Sequence, residues 1–359
     1  AFLLLRRGPR LWAIPTAYAG IVAITWAVVD AKTEGYRLPE PPDAFAATRP
    51  TEEAMDDYVG SESCQSCHPG EHHSWHASYH RTMTQLATPE SVKGDFESGF
   101  VGEFPGMNLR LTREDDEFFA TYTFPAPGGA GYRAFGKRRI VMTTGSHHYQ
   151  VYWTDRPWVS DEKPGDRTVW LVPYVYLFDE EEWIPRQASF LMPPTDRPES
   201  HQWNQSCVRC HSTHGIEKND PVDLTHDTRT AEFGISCEAC HGPGREHVKA
   251  NRDPLRRYGL HQAGKGDPTI VNPARLDKER SAETCGQCHA VSVPPYPNAA
   301  DRYRQTGKPY RPGQDLDDSM LVIHPGRGET ALFEELFPKF FSDRFWSDGM
   351  VRVAGREYH

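Results

Sequence analysis

All eight cysteines of the chain fall into four Cys-x-x-Cys pairs: Cys64/Cys67, Cys207/Cys210, Cys237/Cys240 and Cys285/Cys288. Each pair is followed at once by a histidine: His68, His211, His241 and His289. Histidine fills 17 of 359 positions, so four such coincidences would arise by chance about once in 10⁵ sequences, and the spacing is a signal in its own right.

The spacing has a mechanical meaning. On one helical turn, residues i, i+3 and i+4 share a face. Two thiols placed so can form thioethers with the two vinyl groups of one haem, and the histidine then stands beneath the iron as its proximal ligand. The pattern predicts four covalently bound haem c groups, attached through the eight cysteines, with His68, His211, His241 and His289 as iron ligands. A zinc site also uses Cys-x-x-Cys pairs, but it needs no histidine after each one. A redox dithiol needs one pair beside a βαβ pattern. Disulfides between pairs suit an oxidising compartment but leave the four histidines without a purpose.

Composition fits the same reading. Hydrophobic residues make up only 37% of the chain, low for an ordinary apolar core, and four haems would supply the missing apolar volume. Thirty prolines and 29 glycines imply much irregular chain. A formal net charge of −10 argues against nucleic acid as a partner.

Residues 11–29, LWAIPTAYAGIVAITWAVV, carry no charge. As a helix this run spans roughly 28 Å, enough to cross a bilayer. Arg6, Arg7 and Arg10 precede it and Asp30 and Glu34 follow it, which places the remainder outside the cytoplasm. The expectation is a single-pass anchor in the cytoplasmic membrane, residues 1–30, with a periplasmic or extracellular haem domain; a cleaved signal peptide is the other reading. The first residue is Ala1, and the chain is expected to be incomplete at one or both ends.

The expected fold class is α+β with much irregular structure. A Pro-rich linker covers 31–57 and a first haem segment 58–94. A small antiparallel β-domain follows over 95–200, where NLRLT, FFATYTF, RRIVMTT and HYQVYW alternate or carry β-branched and aromatic residues. A three-haem core of short helices and loops completes the chain over 201–359. The NQS sequon at 204–206 sits beside Cys207 and is read as chance.

Several segments resemble, in order, a bacterial family of multihaem c-type cytochromes related to the tetrahaem electron carrier of ammonia-oxidising bacteria. They are YVGSESCQSCHPGEHHSWHASYH, TGSHHYQVYW, WNQSCVRCHSTHG, GISCEACHGPGREHVKAN and CGQCH. CHGPG-x-x-H and W-x-x-S-x-H are the most specific pieces, and the resemblance covers roughly residues 58–359. It implies export, close haem stacking and electron transfer. The family also contains reductases and oxidases, so it does not settle catalysis.

Iron in haem takes a sixth ligand unless a substrate binds there. His80 is a candidate distal ligand, which the resemblance supports. His247 follows a Gly-Pro-Gly turn that sends the chain away from its own motif and so suits a neighbouring haem. His147 or His148 would serve from a strand of the β-domain, and His214 is a further candidate. His72, His73 and His76 are read as surface residues. The expected function is a membrane-anchored tetrahaem cytochrome passing electrons between redox partner proteins, subunits of a membrane complex. The competing expectation is a multihaem oxidoreductase acting on a small nitrogen or sulfur compound at a five-coordinate haem.

Overall fold

The computed structural model describes residues 15–25 and 46–351, apart from 54, 56, 127–131, 158–162, 164, 191–197 and 327–329. The chain divides into two units, residues 1–44 and 45–359. In the first, residues 15–25 form a helix with largely exposed side chains. No described helix is long and apolar enough to cross a membrane; the two ends of the run 11–29 lie outside the described residues.

The second unit is built on an antiparallel sheet that curls into a half-barrel. A short strand β1 (Thr51–Glu52) precedes it, followed by β2 (Thr84–Leu86), β3 (Val101–Phe104), β4 (Met107–Glu114), β5 (Glu117–Pro125), β6 (Tyr132–Thr144), β7 (Tyr149–Thr154), β8 (Trp170–Leu177) and β9 (Glu182–Pro185). Strands β3 to β9 pair in sequence order, and β2 joins at β6. Register shifts at Tyr122/Thr123, Ile140/Met142 and Val151/Trp153 mark the bulges that add bend and twist. The antiparallel strands read from the sequence are therefore present, within the larger unit 45–359, and their sheet also takes in Thr84–Leu86.

Side-chain alternation sets which face each strand buries. In β4, Met107, Leu109 and Leu111 point inward; in β5, Phe118, Ala120 and Tyr122 do. They enclose Phe96 with Tyr152, Val172 and Tyr174. Strands β7 and β8 are covered on both faces. Their other side chains, Val151, Trp153, Leu171 and Val175, pack with Trp203, Val208 and Phe233 from the haem-motif region. Each large apolar side chain buried there contributes roughly 1.5–3 kcal/mol, so this cluster clamps the motifs to the sheet.

Asn204 reinforces the clamp. Its Oδ1 accepts from Val169 N (2.9 Å) and its Nδ2 donates to Thr228 Oγ1 (2.8 Å). The sequon asparagine is fully buried, a structural post and not a modification site. Strand β1 pairs in parallel with Arg229–Thr230, so the end of the expected linker already belongs to the folded unit.

Candidate haem-binding site

Each Cys-x-x-Cys-His motif sits on a helical turn. His68 N–H donates to Cys64 O (2.9 Å) and His211 N–H to Cys207 O (2.8 Å). The third motif is the helix Cys237–His241, and the fourth ends the helix Lys278–His289. The i, i+3, i+4 face required for attachment is thus formed locally by backbone bonding.

The four motifs converge. The thiols of Cys64 and Cys237 lie close enough to act on each other's titration, which raises the Cys64 pKa and lowers that of Cys237 to about 7. Burial pushes the Cys240 thiol up to about 11, with Cys285 the next contributor. The Cys288 thiol is raised by its bond with Cys210. Gln287 Nε2 donates to Ala239 O (2.9 Å), and Lys308 Nζ to Gln287 O (2.8 Å), with Cys210 Sγ 3.8 Å away. The motifs therefore form a row in the order first, third, fourth, second.

Cys67 departs from this pattern. Its side chain is exposed, and its described contact is with Ser66 Oγ at 3.9 Å, not with a cysteine of another motif. The two cysteines of the first motif thus differ in their surroundings. The first motif stands at the end of the row, and Cys64 takes the flank that meets Cys237. Among the described residues, Cys67, three residues on, is exposed. Cys285 is the other exposed cysteine, but it lies close enough to Cys240 to act on its titration.

Two carboxylates absent from the sequence reading lock the first motif to the third. Buried Glu238, between the two cysteines of its own motif, accepts from Val59 N (3.0 Å), Gly60 N (2.8 Å) and Gly244 N (2.7 Å). Glu232 accepts from Ser61 N and Ser61 Oγ, both at 2.9 Å, and burial raises its pKa. Nothing in the sequence marks either residue, since an acid between motif cysteines or in a short strand before them reads as solvated.

The arrangement also pairs imidazoles across the chain. His68 and His247 lie with ring centroids 6.1 Å apart and planes 25° from parallel; His80 and His289 lie 6.3 Å apart at 77°. Two ring nitrogens bound to one metal at about 2 Å each, plus roughly 1 Å from nitrogen to ring centre, give about 6 Å. Both spacings therefore fit an iron between the rings, and in each pair one ring follows a Cys-x-x-Cys.

Ring protonation fits as well. Partial desolvation lowers the pKa of His80, with the charge of His289 adding to it. Partial burial also lowers that of His247, against an opposing contribution from Asp267. Neutral imidazole is the form that binds a metal. His241 Nδ1 lies 2.7 Å from Val271 O, which leaves its Nε2 as the free acceptor. The donor set fits haem c.

The other candidates are placed differently. His147 and His148 lie on the turn before β7, exposed, and not on the strand, because Gly145 (φ +90) reverses the chain there. Their described ring contacts are to each other (3.8 Å) and from His147 to Tyr79 (4.2 Å). His214, at φ 48, stacks on Tyr58 at 4.5 Å. His72, expected at the surface, is buried, and its Nε2 has no hydrogen-bond partner. It faces inward because the helix Pro69–His76 packs down through Trp75, whose Nε1 donates to Ile235 O (2.8 Å).

Residues 184–242, which hold the second and third motifs, match a family model described as cytochrome c554 and c-prime. No curated protein matches the chain. Among solved structures, the outer cell wall cytochrome OcwA is 19% identical, with a TM-score of 0.51 over 84% of this chain and 50% of that one. An undecahaem cytochrome from the S-layer of Carboxydothermus ferrireducens is 21% identical, with a TM-score of 0.31 over 69% and 28%. The chain thus spans about half the length of OcwA and shares its fold, while the family match over the two middle motifs supports a multihaem c-type cytochrome.

Proposed function

We propose that the chain is a tetrahaem c-type cytochrome that transfers electrons along the row of motifs, with His68 and His247 holding one iron and His80 and His289 another. The observation that carries this reading is the pair of imidazole couples at iron-spanning distance, each joining a motif histidine to one brought in from a different segment. Haem, when bound, supplies a one-electron couple. The chain's own residues fix what surrounds it. The cysteines hold the groups at set spacing. Glu238, Glu232 and Gln287 keep neighbouring motifs in contact. Neutral imidazoles present a nitrogen to the metal in either oxidation state, so little rearrangement accompanies exchange. The partners are redox proteins, subunits of a membrane complex, met by a haem domain outside the cytoplasmic membrane and anchored through residues 11–29. The cell-wall name of OcwA agrees with an exported haem domain.

Intact-mass measurement of the natural protein is expected to give four haem additions, and electron paramagnetic resonance of the oxidised protein low-spin signals. A colourless, zinc-loaded protein would overturn the assignment. A stoichiometric high-spin signal that moves with added nitrite or sulfite would replace the carrier with the enzyme.

A further inference from the structure

His247 is held in a way that His241 is not. Its Nδ1 stands 3.2 Å from Asp267 Oδ2. Asn251 Nδ2 approaches the same nitrogen at 3.0 Å, but its two hydrogens go to His247 O (3.0 Å) and Asp267 Oδ2 (2.6 Å). Thr269 Oγ1 stands 3.4 Å from the same nitrogen, and the Asp267 carboxylate is the charge placed against it. The carboxylate is itself fixed: Arg256 Nη1 and Nη2 each reach one of its oxygens at 2.9 Å, and Thr269 N–H donates to Oδ1 at 2.9 Å.

We propose that Asp267 is a positioning residue that locks His247 with its Nε2 toward His68 and, through its charge, lowers the potential of the iron between those rings. The proposal rests on the reading that His68 and His247 share an iron. A ring with a carboxylate beside its Nδ1 is more electron-rich than one with a backbone carbonyl there, as His241 has in Val271. An electron-rich ligand stabilises the oxidised metal. Arg256 works against this by neutralising part of the carboxylate charge. The His247–Asp267–Arg256 chain thus sets one potential from two opposed charges.

The test is a spectroelectrochemical titration of the full chain with its haems attached, comparing Asp267→Asn, Arg256→Gln and His247→Ala. Asn at 267 keeps an Oδ1 acceptor for Thr269 N–H, so the turn persists. Asp267→Asn is expected to raise one potential and leave the other three in place, with every iron still low-spin. Arg256→Gln is expected to lower the same potential. The opposite signs separate this role from a merely structural one, since loosening the loop would move both variants the same way. Unchanged potentials in both variants, or shifts of the same sign, overturn the proposal. His247→Ala reports on the underlying reading: it is expected to turn one iron high-spin. An unchanged low-spin spectrum there would sink the shared-iron assignment itself and the proposal with it.

Discussion

His80 and His289 face each other with ring planes 77° apart, whereas His68 and His247 are 25° from parallel. Nearly parallel imidazoles lift the degeneracy of the iron dπ orbitals; nearly perpendicular ones leave them close in energy. The two irons should therefore differ in magnetic signature although their ligands are chemically the same. A rhombic low-spin signal is expected for the first-motif haem and a strongly anisotropic, large-gmax signal for the fourth-motif haem. His80→Ala should remove the large-gmax signal and leave the rhombic one. Loss of the rhombic signal instead would mean that the pairing is wrong.

Glu238 should matter more to stability than its place inside a haem motif suggests. Its carboxylate collects backbone N–H groups from both sides of the first-to-third motif contact. Hydrogen bonds to a charged group contribute about 1.5–3 kcal/mol, and buried donors left unmade cost more. Glu238→Ala is expected to lose about 3 kcal/mol or more, read as a fall in thermal midpoint at full haem content. A change under about 0.5 kcal/mol, the range of an ordinary surface substitution, would refute this.

What the sequence discloses and what it hides divide along a physical line. The attachment motifs are local: a few residues on one turn carry the whole instruction, so they are legible without a fold. Their surroundings are not, which is why Cys64 and Cys67 look alike in the sequence although their exposure differs. The strands β4 to β8 are legible through period-two alternation. Pairings between distant segments are legible only where a turn gives direction, as Gly242-Pro243-Gly244 does for His247. His147 and His148 mislead because alternation does not extend past Gly145, where the chain turns. Glu232, Glu238 and Asp267 are illegible, because their importance comes from contact with partners far away in the sequence.

The pH dependence offers a separate check. Burial raises the pKa of Glu232 above its ordinary value. For an acid so shifted, the folded state holds its proton more tightly than the unfolded state, so the associated stability is present at low pH and is lost as pH rises through the folded pKa. Glu232→Gln keeps an acceptor for Ser61 and removes the charge. The variant should match the native chain in stability at about pH 4 and exceed it at pH 7. Parallel stability curves across that range would contradict the assignment of burial as the cause.

Gly234 is the last joint to test, because it governs how His80 reaches the fourth motif. Its φ is +73, a region that side chains rarely adopt. A Cβ built there would stand 2.2 Å from Arg81 O and 3.0 Å from His80 O, against the turn that carries the histidine. The neighbouring Ile235 N–H donates to His80 O (2.9 Å), so the two segments cannot separate without losing that bond. Gly264 provides the comparison. It also has positive φ, +60, but no atom lies within 4 Å of its would-be Cβ. Gly264→Ala should cost only backbone strain, about 1–2 kcal/mol. Gly234→Ala should cost more and also disturb the large-gmax signal, because the methyl group can fit only if the His80 turn moves. Equal losses in the two variants, with both low-spin signals intact, would show that the close approach at Arg81 does not position His80.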